Sequence, residues 1–91
     1  MPDDQERIWP LTVQEAVDRL VADLKDEDKA RIASMPASGL IHLHHGLGQY
    51  IRNAYGLRQG NEALLASCHA ADPDGASHYI LHELWRRLQV G

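Results

Sequence analysis

The stretch from Leu40 to Leu57 constrains the fold more than any other feature of this chain, because its apolar residues recur with the spacing of one helix. At about 100° per residue, one side of that helix collects apolar residues and the other side collects polar ones. The apolar side consists of Leu40, Leu43, Leu47, Ile51, Ala54 and Tyr55. Three histidines, two internal glycines and an Arg-Asn pair lie in the same stretch. It therefore predicts a long third helix with one buried side and one polar side of unusual composition.

Helix signals also occur on both sides of this stretch. Thr12 followed three residues later by Glu15 is a capping-box pattern, in which two side chains satisfy backbone donors at the start of a helix. An acidic run favours a second helix start through the helix dipole, and this short helix should end before Pro36. The acidic run begins at Asp26, and further helix starts are predicted at Asn61 and Asp72.

Both ends of the predicted third helix carry recognisable signals. Residues 36–39 have the composition of a turn, with Ser38 as the expected N-cap. At the other end, Gly56 can adopt the left-handed conformation that stops a helix, which places Leu57 to fold back on Ile51.

The chain shows no run of β-branched residues alternating with polar ones, so strands are not expected. Its 91 residues suit one domain with a single core. We therefore predict an all-α fold, a compact single-domain bundle of four or five short helices over residues 8–91. Residues 1–7 are polar and are expected to form a flexible leader.

Charge and cysteine usage narrow the possible functions. The formal net charge of -4 disfavours nucleic acid as the main partner, because phosphate neutralisation supplies most of that affinity. Cys68 is the single cysteine, so no intramolecular disulfide can form, and a reducing cytoplasm is the expected setting. The first residues lack a signal-peptide pattern, and no apolar run approaches the length of a membrane span.

Three segments together resemble a known family. They are P-L-T-V-Q-E-A-V from Pro10, L-H-H-G-L-G-Q-Y-I-R-N-A-Y-G-L from Leu43, and N-E-A-L-L from Asn61. The chain resembles a family of small bacterial proteins grouped as a domain of unknown function, and G-L-G-x-x-I-R-N followed by G-L is the most specific part. The resemblance implies no activity, cofactor or catalytic residue. It also implies two departures, because members more often carry an aromatic or aliphatic residue in place of His45 and tryptophan in place of Arg58.

His44 falls among the apolar residues of the predicted third helix, so a buried, hydrogen-bonded and mainly neutral imidazole is expected. The alternative is that titration of a buried His44 makes the stability of the core depend on pH.

Gly46 and Gly48 are costly inside a helix, which indicates a backbone that another segment or a partner approaches closely. Close packing of helices within the chain is the favoured explanation.

The sequence contains no complete set of residues for a metal site or for catalysis. The pairs His42 with His45 and His78 with His82 have helical spacing, but no further ligands complete a tetrahedral site. Cys68 shares its face with apolar residues and is expected to be an inert core residue. We therefore expect no metal, no cofactor and no catalytic residue.

The function predicted from these features is a protein-protein interaction module that uses the polar face of the third helix and the loop after it. The predicted partner-binding residues are His45, Gln49, Arg52, Asn53, Arg58 and Asn61. Asparagine is a weak helix former, so Asn53 is a poor choice where only solubility is needed. In the alternative explanation Arg52 and Asn53 merely hold the loop in place. Two other classes stay open: a nucleic-acid-binding accessory protein using Arg52, Arg58, Arg86 and Arg87, or an enzyme or metal-binding protein.

Overall fold

The structure is a computed structural model that describes residues 9–90. Within this part of the chain there are five α-helices and no strand. The helices are α1 (Val13–Asp23), α2 (Asp26–Ala33), α3 (Gln49–Ala54), α4 (Glu62–Ser67) and α5 (Pro73–Val90). The all-α fold predicted from the sequence is confirmed, whereas the predicted leader lies outside the described residues.

One apolar core joins the five helices. Its buried members are Val13, Ala16, Val17, Leu20, Ile32, Ile51, Tyr55, Leu57, Leu64, Cys68, Ala76, Ile80, Leu81 and Leu84. The residues of α1 and α5 recur at intervals of three and four, as expected for helices that bury one side. None of the described helices is long and apolar enough to cross a membrane.

The start of α1 is held by side chains from two places in the sequence. The Thr12 hydroxyl accepts a hydrogen bond from the Glu15 backbone N–H at 3.1 Å, as the capping-box pattern predicts. The Glu15 carboxylate accepts from the Leu11 N–H at 2.9 Å, one residue earlier than in the standard box. From α4, the Ser67 hydroxyl accepts from the Val13 N–H at 2.9 Å. The two local bonds fix the first turn of α1, and the Ser67 bond anchors that turn against α4.

Helix α5 is fixed at both ends. The Asp72 carboxylate accepts from the Gly75 N–H at 2.7 Å, so the predicted cap is present. Near the other end, the Trp85 indole N–H donates to the Met35 carbonyl at 2.7 Å. The Arg87 guanidinium lies 2.7 Å from the Asp18 carboxylate on α1. As a result α5 holds the loop after α2 and packs along α1.

The predicted third helix is present, but it winds in three different ways. A 3₁₀ segment (Ala37–Leu43) leads into a π-helical segment (His44–Gly48), which continues directly into α3. We call residues 37–54 the composite helix. Its first residue follows Pro36 and no side chain caps it, so the predicted Ser38 cap is wrong because Ser38 lies inside the 3₁₀ segment. After α3, Gly56 has a positive φ of 71°, which confirms the predicted glycine stop.

Candidate functional site

Arg52, on α3, is the most heavily bonded side chain of the composite helix, and only 3% of it is exposed. Its Nη1 donates to the Ser77 hydroxyl of α5 at 2.9 Å. Its Nη2 donates to the backbone carbonyl of His44 at 3.1 Å. This guanidinium therefore ties α3 both to α5 and to the π segment.

A carboxylate at the surface completes this arrangement. Asp74 Oδ1 lies 3.4 Å from Arg52 Nε and 3.9 Å from Arg58 Nη2. The Ser77 hydroxyl donates in turn to the Asp74 backbone carbonyl at 2.9 Å. The Asp74 side chain is 63% exposed, so water screens its attraction for the buried guanidinium. The position of Arg52 therefore depends chiefly on its two hydrogen bonds.

Gly48 makes room for the Arg52 side chain. A Cβ atom on residue 48 would lie 3.2 Å from Arg52 Nη1, 3.3 Å from the Leu43 carbonyl oxygen and 3.6 Å from Leu81 Cδ1. Gly48 is buried, and the surrounding atoms occupy the space that a side chain would need. The two closest of these atoms belong to the composite helix itself, and Leu81 of α5 is the neighbour from another segment, at an ordinary contact distance.

Asn61 connects three parts of the chain. Its Nδ2 donates to the carbonyls of Pro10 and Tyr55, each at 2.9 Å. Its Oδ1 accepts from the Leu64 N–H at 3.2 Å, which makes it the N-cap of α4, as predicted. One buried amide thus links the segment before α1, the end of α3 and the start of α4.

Arg52 and Asn61 therefore do not lie on the exposed surface that the sequence predicts for them. Each is 97% buried and bonded within the chain. The angular position of a residue fixes its Cβ direction, but the long Arg52 side chain folds back over Gly48 to reach Ser77 and the His44 carbonyl. The short Asn61 side chain is held inside by the carbonyls of Pro10 and Tyr55 and by its capping bond to Leu64. For Arg52, the alternative that it holds the structure in place fits these contacts.

The other four predicted partner-binding residues, His45, Gln49, Asn53 and Arg58, are exposed. All of these except Arg58 lie along one side of the composite helix, together with His42, which is also exposed. We call His42, His45, Gln49 and Asn53 the polar strip. Within the described chain their side chains make no hydrogen bond to other protein groups. Their donors and acceptors are open to solvent or to a partner.

Beside the polar strip runs a line of uncharged residues, spaced mostly one turn apart. We call this the apolar edge: Leu43, Gly46, Leu47, Tyr50 and Ala54. Tyr50 is 46% exposed, somewhat more than Tyr79 of α5 at 37%. Between Tyr50 and α1 lies a groove of about 270 Å³, lined by Leu20, Asp23, Leu24, Leu47 and Tyr50.

The acidic residues are unevenly distributed along the sequence, which the short motifs do not reveal. Residues 29–61 contain no Asp or Glu, although the chain has thirteen, and they contain four of its nine Lys and Arg residues. This acid-free stretch includes the whole composite helix. In the structure, however, Asp74 of α5 lies beside Arg52 and Arg58, and Asp23 of α1 lines the groove beside Tyr50, so the surface around the composite helix does carry carboxylates.

His44 is half-buried rather than buried, so its predicted place in the core is corrected. Its ring meets the His45 ring edge-on at 5.2 Å. The prediction assumed one angular step per residue, but a 3₁₀ turn has three residues per turn and a π turn is wider than an α turn. Through its backbone carbonyl, His44 still serves as an acceptor for the buried Arg52.

The described residues contain no group of three or more His, Cys, Asp or Glu side chains that could hold a metal ion. Cys68 is buried, as predicted, and burial raises the pKa of its thiol from 9.0 to about 11. A thiol with a pKa in that range is almost entirely protonated near neutral pH and is a weak nucleophile.

The four arginines considered for nucleic-acid binding each have a carboxylate nearby. Arg86 lies 3.3 Å from Glu83, and Arg87 lies 2.7 Å from Asp18. Arg52 and Arg58 share Asp74, and Arg52 is buried. Neighbouring carboxylates oppose the approach of a phosphate, so this set does not form an open basic surface.

A family model described as Domain of unknown function (DUF6794) matches residues 9–88. The chain belongs to this family. The match covers all five α-helices except the last residues of α5, so the composite helix and its surface lie inside the family domain. No curated protein and no solved structure matches the chain.

Proposed function

We propose that this member of the DUF6794 family is a protein-protein interaction module that binds a partner protein through the exposed side of the composite helix. The observation that carries the proposal is the apolar edge lying directly beside the polar strip. Protein interfaces combine an apolar, often aromatic centre with a polar rim. Tyr50 and the adjoining groove would form the apolar centre, and Gln49 and Asn53 would hydrogen-bond the partner directly beside it.

Two of the four exposed large hydrophobic residues in the described chain lie on the composite helix, and the other two, Leu11 and Tyr79, lie elsewhere. Ile41 is 57% exposed and Tyr50 is 46% exposed, and both belong to the composite helix. Contiguous exposed apolar patches, unlike single exposed residues, mark interaction sites, and Tyr50 is continuous with the apolar edge. The single buried cysteine suits a reducing, cytoplasmic setting for such a module.

A double substitution on the polar strip tests this proposal. Gln49→Ala with Asn53→Ala removes two exposed side chains without internal bonds, so the melting temperature should change by only a few degrees. A partner captured from cells would be purified, and its affinity for both proteins measured by calorimetry. We expect the double variant to bind at least tenfold more weakly, about 1.4 kcal/mol.

The matched control is Gln14→Ala with His78→Ala, which removes two exposed side chains from α1 and α5. This variant should retain full affinity. If the partner binds the Gln49 and Asn53 variant as tightly as the unmodified protein, the exposed side of the composite helix is not the binding surface.

A further inference from the structure

The groove beside Tyr50 combines apolar walls with a single charged residue. Leu20, Leu24 and Leu47 line it together with the Tyr50 ring, and Asp23 is its charged member. Its volume of about 270 Å³ is below the range of about 300–1,000 Å³ that is usual for pockets that hold whole small molecules. The groove therefore suits one side chain of a partner protein.

The Asp23 carboxylate has no ion-pair partner of its own. It is exposed, and among the described residues no Lys or Arg nitrogen lies within 4.0 Å of it. Other carboxylates of the same region are paired: Asp18 lies 2.7 Å from Arg87, and Asp26 lies 3.4 Å from Lys29. A cation from outside could therefore approach Asp23 without displacing an internal partner.

The negative charge of Asp23 also acts toward the inside of the groove. Burial raises the pKa of the Tyr55 hydroxyl, and the groove residues Tyr50 and Asp23 raise it further. The Tyr55 ring lies 6.2 Å from the Tyr50 ring, so this buried group is close to the groove. Arg19 has the opposite effect on the same pKa, but it lines a separate groove together with Asp18. Asp23 is therefore the charge that a group bound beside Tyr50 would meet.

Lysine and arginine match these walls. Their aliphatic stems lie along apolar surfaces while their charged ends stay in contact with water. In this groove the stem would contact Leu24 and Leu47, and the charged end would reach Asp23. A cation beside the Tyr50 ring would also gain a cation–π attraction.

Other kinds of side chain match the groove less well. Asp23 would repel an acidic side chain. A purely apolar side chain would remove water from the Asp23 carboxylate without offering it a partner, which is unfavourable. The formal net charge of -4 acts in the same direction, because it attracts basic partners during their approach.

We infer that the partner inserts a lysine or arginine side chain into the groove beside Tyr50, with its cationic end at Asp23. This inference rests on the proposed function and names the side chain that the groove would recognise. A second copy of this chain is not the expected occupant, because two molecules of charge -4 repel each other.

The test uses a library of peptides with randomised sequences, selected for binding to the intact protein. The selected peptides should share a lysine or arginine. Each should bind Asp23→Lys at least tenfold more weakly than the unmodified protein, and high salt should reduce the difference. Asp23 is the last residue of α1, where the helix dipole favours a cation, so the variant should fold.

A matched control and a charge exchange make the test specific. Glu27→Lys makes the same change of charge at an exposed residue that does not line the groove, so it should leave affinity unchanged. A peptide in which glutamate replaces the shared cationic residue should bind Asp23→Lys more tightly than it binds the unmodified protein. Thermal melting of both variants checks that they fold.

The outcomes separate the inference from the proposed function. Peptides that are weakened by the Gln49 and Asn53 double variant but not by Asp23→Lys, or that lack a cationic residue, would overturn the inference alone. Equal losses with Asp23→Lys and Glu27→Lys would overturn it too, because overall charge would then explain the effect. Failure to select any binder, or binders indifferent to all variants, would overturn both proposals. A dimer in sedimentation experiments that Asp23→Lys abolishes would assign the groove to a second copy.

Discussion

The Arg52 guanidinium lies against Gly48, one turn earlier in the composite helix, with Nη1 only 3.2 Å from where a Cβ on residue 48 would be. The glycine makes the space, and the arginine fills it to reach Ser77 and the His44 carbonyl. Neither residue reveals this relationship by its type alone. It distinguishes Gly46 from Gly48, which are two positions apart and have opposite environments.

Alanine substitutions at the two glycines should therefore change stability in opposite directions. Gly46→Ala adds a Cβ in open space and should stabilise the fold by about 0.5–1 kcal/mol. Gly48→Ala forces the added atom against Arg52 and the Leu43 carbonyl, and overpacking of this kind costs about 1–3 kcal/mol. Urea unfolding of both variants measures the difference. Equal effects of the two substitutions would contradict this account.

Loss of the Arg52 guanidinium should destabilise the protein strongly. Arg52→Ala removes one buried and one partly buried hydrogen bond from a charged group and leaves a cavity, at a cost of about 2–4 kcal/mol. Asp74→Asn serves as the control, because the Asp74 carboxylate is 63% exposed and its pairing is worth under about 1 kcal/mol. Thermal melting compares the two. Similar losses for both variants would show that the ion pair, rather than the hydrogen bonds, holds Arg52.

Asn61 can be tested with a nearly isosteric change. Asn61→Asp keeps the oxygen that caps α4 but replaces the amide donor by an oxygen facing the carbonyls of Pro10 and Tyr55. If Asn61 served only as a cap, aspartate would be tolerated, since both residues cap well. We expect instead a loss of about 2–3 kcal/mol, because two buried carbonyls lose their donor and meet a negative charge. Denaturant unfolding at neutral pH decides between the two.

Features that depend on near neighbours could be predicted from the sequence. The caps at Thr12, Asn61 and Asp72 each use a backbone N–H three residues ahead, so short spacing identifies them. The final contact of Arg52 could not be predicted, because Ser77 is 25 residues away and a long side chain has many conformations. The partial burial of His44 could not be predicted either, because His44 lies where the winding changes from 3₁₀ to π.

In the exposed part of the candidate site, too, features set by local spacing could be predicted from the sequence and features set by helix packing could not. His45 and Gln49 point outward as the helical spacing predicts, because residues near the centre of a polar face are insensitive to small changes in winding. The groove beside Tyr50 depends on how α1 packs against the composite helix, so no local pattern could reveal it. The acid-free stretch, in contrast, was readable from the sequence alone.

The buried Cys68 thiol should make the stability of the protein depend on pH in alkaline solution. Burial raises the pKa of the Cys68 thiol from 9.0 to about 11, so between these pH values the folded protein keeps a proton that the unfolded chain releases. The contribution of Cys68 to stability should therefore be constant below about pH 9 and fall by roughly 2–3 kcal/mol as the pH rises from 9 to 11. Burial also raises the pKa of Tyr55 above its ordinary 10.0, so Tyr55→Phe is the background in which the thiol is isolated. In that background, urea unfolding between pH 7 and 11 should show the decline, and adding Cys68→Ala should remove it. An equal decline with alanine at position 68 would exclude the thiol as its cause.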